Sequence, residues 1–171
     1  MGADIVAADG PILIKHLFTH TSGLSYGETI VGPSDVSKMY DELGTFSTTS
    51  STPTIMSTIA SIPLRAQPGT EFNYSMSTDV LGALVEKISG LQLGEYMEAN
   101  IFKPLGMNDT GFEVPEDKLH RVAALFTPNR VTVQLPSQTK NFVPFEQQNY
   151  CRMKPVAHAG GAGLCLSLIH I

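Results

Sequence analysis

Long apolar runs and basic stripes are both missing from this chain. No apolar stretch approaches the ~20 residues that a membrane-spanning helix needs, and residues 1–10 have neither the basic start nor the apolar middle of a signal peptide. Eleven Lys and Arg residues against sixteen Asp and Glu residues give a formal net charge of −5, with no basic stripe to neutralise nucleic-acid phosphates. The sequence therefore predicts neither a membrane span nor a nucleic-acid partner, and it does not indicate a compartment.

Cysteine is scarce as well. Cys151 and Cys165 are too few for a disulfide scaffold, and they lack the paired Cys and His spacing of a zinc site. No metal or other cofactor is therefore expected. With 171 residues, 42% of them hydrophobic and 16% charged, the chain is long enough to bury one core, so a single domain or part of a larger one is expected.

Apolar residues recur at helical spacing through most of the first hundred positions. The strongest helix prediction covers residues 77–89, with Ser77 or Thr78 as the N-cap and Gly90 as the C-terminal cap. Other helices are predicted for residues 12–20, 34–43, 53–63 and 93–102. β-Branched residues then predict two short strands, at 122–126 and 130–135, joined by a turn at 127–129. The fold class expected is α+β and mainly helical.

Three ordered blocks carry a family resemblance. Residues 15–24 read KHLFTHTSGL, residues 68–90 read PGTEFNYSMSTDVLGALVEKISG, and residues 101–110 read IFKPLGMNDT. The blocks are similar to those of the β-lactamase-related serine hydrolases, which include class C β-lactamases, penicillin-binding proteins and family VIII-type esterases. The resemblance runs from about residue 12 to 126 and resumes at residues 160–164. Residues 1–171 are therefore interpreted as one partial domain with an atypical tail, residues 165–171.

The resemblance implies acyl transfer through a serine. In the family, the Ser of a Ser-x-x-Lys motif attacks a carbonyl, while the Lys and a Tyr handle its proton, and Tyr74 matches that Tyr. A phenol with a pKa near 10 acts as a base at neutral pH only when cations stabilise its phenolate. In the family these are the motif Lys and a basic or His residue on a later strand. The alternative is that Tyr74 is a buried core tyrosine.

Two expected motifs are missing. In the family, Ser-x-x-Lys precedes the HTSGL block, yet no Ser precedes Ile12, and the late Lys-Thr-Gly or His-x-Gly motif is also absent. The nucleophile is therefore expected upstream of Met1, and the chain is expected to be an inactive fragment truncated at both ends. One literal match, Ser137 to Lys140, follows a proline without the helix that would supply a dipole, so it is interpreted as a decoy.

The residue two positions after Tyr74 distinguishes the branches of the family. In β-lactamases and many penicillin-binding proteins it is an Asn that contacts the substrate amide, whereas here it is Met76. The resemblance therefore favours a carboxylesterase or transesterase with a small-molecule ester substrate. A β-lactamase or D-alanyl-D-alanine carboxypeptidase acting on an amide, and a noncatalytic scaffold or binding module, are the alternatives. His20 is interpreted as a hydrogen-bonded structural histidine rather than a base or ligand.

Overall fold

The computed structural model describes residues 5–124, 126–128, 142–144 and 154–167, and helices dominate this part of the chain. The α-helices are α1 (Ile14–Phe18), α2 (Glu28–Val31), α3 (Asp35–Glu42), α4 (Thr52–Ala60), α5 (Ser77–Ser89) and α6 (Leu93–Met97). A π-helical turn, Glu98–Phe102, continues α6, and a 3₁₀ helix covers Glu116–Arg121. None of the described helices is long and apolar enough to cross a membrane.

Short strands form two antiparallel pairs. β1 (Thr110–Gly111) pairs with β4 (Cys165–Leu166), and β2 (Phe126–Pro128) pairs with β3 (Phe142–Pro144). The first pair brings the end of the described chain back to the segment that follows the π-helical turn. Six α-helices and four short strands in the described residues confirm the α+β, mainly helical fold class predicted from the sequence.

Helix α5 has the same ends as the strongest helix prediction. Gly90 adopts a left-handed φ of 73°, and its N–H donates to the Glu86 carbonyl, which is the cap geometry that glycine favours. The prediction of Ser77 or Thr78 as the N-cap is wrong, because Met76 holds that position without a side-chain capping bond. The Ser77 hydroxyl is instead bonded to other buried serines.

The strand predictions are correct only in part. Residues 122–124 belong to no strand, and residues 127 and 128 continue β2 instead of forming the predicted turn. Strand propensity depends on the partner against which a strand packs, and the partner of β2 is β3, not the next apolar run. The second predicted strand, at 130–135, and the SQTK segment at 137–140 lie outside the described residues.

The hydrophobic core fixes the start of α5. Helices α1 and α4 both pack against α5, and burying each large apolar side chain between them contributes about 1.5–3 kcal/mol. Partly buried apolar side chains of α3, α4 and α5 pack around the centre of this core. The buried residues at the centre are Leu17, Leu24, Tyr26, Tyr40, Ile59, Ile62 and Met76.

The glycine-rich block at residues 160–164 lies against the first turns of α5. A Cβ atom on Gly160 would collide with the carbonyl oxygen of Thr78, and one on Gly82 would lie 3.2 Å from the Cα of Gly160. Only glycine allows two backbones to approach so closely. The N–H of Gly161 also donates to Asp79 Oδ1 at 3.2 Å, so this block is attached to the helix that follows Tyr74.

Candidate active site

Tyr74 lies in the irregular segment that leads into α5, and it is 50% exposed. Backbone hydrogen bonds hold the segment on both sides of it. The N–H of Asn73 donates to the His20 carbonyl at 2.7 Å, and the N–H of Met76 donates to the Ser25 carbonyl at 3.2 Å. Within the described part of the chain, this exposure does not fit a buried core tyrosine, and the phenol reaches the surface.

Aromatic rings form a row on both sides of Tyr74. The Tyr74 ring centroid is 5.0 Å from the His20 centroid and 5.2 Å from the Tyr26 centroid. The row continues from His20 to Phe72 at 5.9 Å and from Tyr26 to Phe46 at 6.2 Å. Tilted and edge-on contacts at these distances are favourable for aromatic pairs, so the row restricts the orientation of the Tyr74 ring.

Fully buried serines form a chain of hydrogen bonds next to Tyr74. The Oγ atoms of Ser22 and Ser75 each lie 2.8 Å from the Oγ of Ser77. Ser75 Oγ also lies 3.3 Å from His20 Nδ1. Because buried hydroxyls are costly unless they are partnered, this chain fastens the HTSGL block to the segment that carries Tyr74.

His20 has an unusual backbone conformation at the end of this serine chain. Its φ of 51° is the only positive φ among the described residues other than glycines, and this conformation costs about 1–2 kcal/mol for a residue with a side chain. The conformation places the ring between Phe72 and Tyr74 and its Nδ1 beside Ser75. The bond to Ser75 supports the interpretation of His20 as a structural histidine.

A second tyrosine, Tyr26, is buried beside Tyr74 and is paired with Asp79. The Tyr26 hydroxyl donates to Asp79 Oδ2 at 3.3 Å, and Asp79 Oδ1 accepts from the N–H of Gly161. Burial raises the pKa of Asp79, against the opposing effect of these hydrogen bonds. Burial, followed by the negative charges of Asp79 and Tyr74, raises the pKa of Tyr26. Tyr26 therefore stays protonated at neutral pH and cannot serve as the base.

A partly open cavity of about 50 Å³ lies beside the start of α5. His158 forms part of its wall, stacks on Phe112 with centroids 4.5 Å apart, and accepts the N–H of Gly94 at Nδ1. Burial lowers the pKa of His158, against the opposing charges of nearby glutamates. The large apolar side chains in the wall are Phe46, Ile55, Met56, Met76 and Phe112, and the wall also contains the hydroxyl residues Thr45, Ser47, Thr48 and Thr52.

Sequence reasoning proposed Tyr74 as a site residue, and it proposed neither Tyr26 nor Asp79, which the structure places beside it. Asp79 is an acidic residue near the start of a helix whose apolar side chains pack on the core, and a buried acid in that position calls for a hydrogen-bond donor. That signal could have drawn attention to Asp79, but Tyr26 lies 53 residues away in the chain. Among the described residues, no three side chains come together that could hold a metal ion.

The chain matches the Beta-lactamase family over residues 4–168. Esterase EstB of Burkholderia gladioli is 34% identical over 161 residues, which cover 72% of this chain and 39% of that protein. Monacolin J acid methylbutanoyltransferase of Aspergillus terreus is 35% identical over 124 residues, which cover 67% of this chain and 29% of that protein. The chain therefore spans less than half the length of these two curated relatives.

A solved structure shows the same fold. EstCE1, described as a hydrolase with promiscuous acyltransferase activity, superposes with a TM-score of 0.72 at 24% identity, over 97% of this chain and 46% of that one. At this identity the likeness establishes the fold alone. The family match over residues 4–168 shows that this chain belongs to the Beta-lactamase family, and the relatives similar to it include an esterase and an acyltransferase.

Proposed function

We propose that this chain is part of a serine hydrolase of the carboxylesterase or transesterase type, and that it supplies Tyr74 for proton transfer. The observation that carries the proposal is the setting of Tyr74, a half-exposed phenol beside the buried phenol of Tyr26. Of two adjacent phenols, the accessible one is the better candidate for a proton carrier, which supports the proposal for Tyr74. The relatives named as an esterase and a methylbutanoyltransferase support the same class of reaction.

In the proposed mechanism, a serine hydroxyl attacks the ester carbonyl while Tyr74, as a phenolate, takes the hydroxyl proton. The phenol then returns that proton to the departing alcohol, which leaves an acyl-serine. Water, or a second alcohol in a transesterase, attacks the acyl-serine and delivers its own proton through Tyr74 in the same way. The Ser-x-x-Lys motif belongs, in this proposal, to a part of the protein outside these 171 residues, and the chain is one partial domain.

An ester fits this site better than a β-lactam. An Asn beside the reacting carbonyl can both donate to and accept from a substrate amide, whereas the thioether of Met76 is only a weak acceptor. The Met76 side chain is also buried and lines the apolar cavity. An ester substrate needs no amide recognition at this position.

The test is turnover of p-nitrophenyl esters by the full-length protein that carries this chain. Tyr74→Phe should lower kcat by about 10²–10⁴-fold, the usual contribution of a positioned acid–base group, with little change in KM. Tyr96→Phe, which removes a phenol hydroxyl from α6, should leave kcat near its original value. Near-normal kcat in Tyr74→Phe would refute the role of Tyr74, and a full-length protein without ester turnover would instead support a noncatalytic scaffold.

A further inference from the structure

The three buried serines beside the candidate base form a chain of hydrogen bonds with two defined ends. The chain runs from Ser22 through Ser77 and Ser75 to His20 Nδ1, and none of the three serines has exposed surface. At its other end, the N–H of Leu24 donates to Ser22 Oγ at 3.2 Å. In the described part of the chain these hydroxyls have no further hydrogen-bond partner. Each hydroxyl proton must therefore go to a neighbour within the chain.

Only one direction of the chain gives every proton an acceptor. If His20 Nδ1 carried a proton and donated it to Ser75, each serine would pass its own proton toward Ser22. The Ser22 proton would then have no acceptor among the described residues, at a position without solvent. In the opposite direction Ser22 donates to Ser77, Ser77 donates to Ser75, and Ser75 donates to Nδ1. A buried donor without a partner costs more than one hydrogen bond contributes, so this second direction is favoured.

The direction of the chain decides which ring nitrogen of His20 carries the proton. A neutral imidazole that accepts at Nδ1 has its proton on Nε2. Within the described residues, Nε2 makes no hydrogen bond. The ring is only partly buried, and it contacts the exposed rings of Phe72 and Tyr74. The serine chain therefore leaves one N–H donor of His20 free beside the half-exposed phenol.

We propose that the serine chain fixes His20 as its Nε2–H tautomer, and that this N–H donates a hydrogen bond to an oxygen of the ester bound at Tyr74. The inference rests on the proposed function, because it adds a substrate-binding residue to that reaction. The His20 and Tyr74 rings are in contact, with centroids 5.0 Å apart, so a ligand that reaches the phenol also meets His20. Strained backbone is found where a side chain must be aimed at a functional site, and the left-handed φ of 51° at His20 fits that use.

Two substitutions of His20 separate its inner acceptor from its outer donor. His20→Asn keeps an acceptor near the position of Nδ1 and tolerates the positive φ, but it loses the outer N–H. His20→Gln carries an amide N–H out to the distance of Nε2 and loses the inner acceptor.

Turnover of p-nitrophenyl acetate by the full-length protein compares these variants. His20→Asn should keep its urea midpoint and lose about tenfold in kcat/KM, the value of one net hydrogen bond. His20→Gln should have a lower midpoint but retain more of kcat/KM. A histidine with a purely structural role predicts the reverse order of activities, and that order would overturn the proposed donor.

NMR of isotope-labelled histidine reads the tautomer without depending on turnover. In the full-length protein, His20 should carry a proton on Nε2 and none on Nδ1, and Ser75→Ala should release the ring into a mixture of tautomers. Ser25→Ala is the matched control and should leave the tautomer unchanged. Ser25 is also buried, but its hydroxyl donates to the Tyr26 carbonyl, outside the chain. A proton on Nδ1 in the unaltered protein would overturn the fixed tautomer.

A binding measurement distinguishes failure of this inference from failure of the proposed function. Butanone keeps the carbonyl oxygen of an ester but has no leaving group. Its addition should shift the Nε2 signal of His20 and leave the signal of His120, on the 3₁₀ helix, unchanged. A shift in a protein without ester turnover would uphold the donor and refute the hydrolase. Absence of the shift would overturn the donor, whether or not esters are turned over.

Discussion

Tyr74 and Tyr26 are neighbouring phenols whose surroundings give them different roles. Tyr26 is buried and donates to Asp79, which raises its pKa and keeps it protonated. Tyr74 is half-exposed and lies between the rings of Tyr26 and His20. Both oxygens of Asp79 accept hydrogen bonds, from the Tyr26 hydroxyl and the Gly161 N–H, so Asp79 holds the buried phenol in place.

His20 and Ser75 hold the segment that carries Tyr74. The His20 carbonyl accepts the N–H of Asn73, while its ring contacts Tyr74 and its Nδ1 lies beside Ser75. Each of these two hydrogen bonds contributes about 1 kcal/mol. Together they offset the energetic cost of the left-handed backbone conformation of His20. The HTSGL block is therefore a support for the phenol.

The protonation of His158 makes stability depend on pH. Burial lowers the pKa of His158 below its ordinary 6.5 in the folded chain, and its Nδ1 must be unprotonated to accept the Gly94 N–H. Between the two pKa values the unfolded chain binds more protons than the folded chain. The contribution of His158 to the free energy of unfolding is therefore fully present above about pH 6.5, the pKa in the unfolded chain. It is lost as the pH falls toward the lower pKa that His158 has in the folded chain.

Urea unfolding from pH 7.5 to 5 measures this dependence. His158→Gln keeps an acceptor for the Gly94 N–H but cannot gain a proton, so its unfolding free energy should fall less steeply than that of the original chain. Asp79 has a raised pKa and changes stability in the opposite sense, but it is common to both proteins and cancels in their difference. If the unfolding free energies of the two proteins changed equally with pH, the role given to His158 would be contradicted.

Among the elements, α5 organises the site. Its first turn follows Tyr74 and contains Asp79, which accepts hydrogen bonds from the Tyr26 hydroxyl and the Gly161 N–H. The backbone of α5 also lies against Gly160. Helices α1 and α4 pack against its sides. Movement of α5 would therefore displace the phenol, the wall of the cavity and the glycine-rich block together.

Substitution at Gly160 tests the contact between this block and α5. Gly160→Ala places a methyl group against the Thr78 carbonyl, and overpacking of this kind costs about 1–3 kcal/mol. Gly10→Ala is the control, because a Cβ there meets no atom within 4 Å and should change stability by less than about 0.5 kcal/mol. Chemical denaturation measures both, and equal midpoints in the two variants would contradict the close approach.

The spacing of apolar residues predicted helices whose bounds depend on neighbouring residues. It did not predict features that depend on residues far away in the chain. The bounds of α5 follow from apolar periodicity and Gly90, both of which lie within one short stretch of sequence. The N-cap was wrong because Ser77 is bonded to Ser22, 55 residues away. Strands β1 and β4 have two residues each and are defined by a pairing between distant segments, so no local pattern could reveal them. Motif resemblance predicted Tyr74, while its neighbour Tyr26 depends on tertiary contacts.

At the scale of the whole molecule, large apolar side chains remain exposed in the segments that precede the HTSGL block and Tyr74. Phe72, two residues before Tyr74, is 67% exposed, and Phe18, at the end of α1, is 71% exposed. Large exposed apolar side chains are candidates for contact with other protein. The chain also spans less than half of its curated relatives, and under the proposed function the part of the protein that carries the nucleophile would lie against these side chains.

The 171-residue chain expressed alone should therefore bind a hydrophobic dye and associate as its concentration rises. Replacing both Phe18 and Phe72 by serine should reduce dye fluorescence and association, because it removes apolar surface without disturbing a buried residue. Ile88→Ser is the control, since Ile88 is also exposed but lies near the far end of α5, and it should have a smaller effect. Size-exclusion chromatography and dye titration measure both properties. A monodisperse monomer that binds no dye would show that the chain needs no covering partner, and it would favour the noncatalytic scaffold over part of a larger hydrolase.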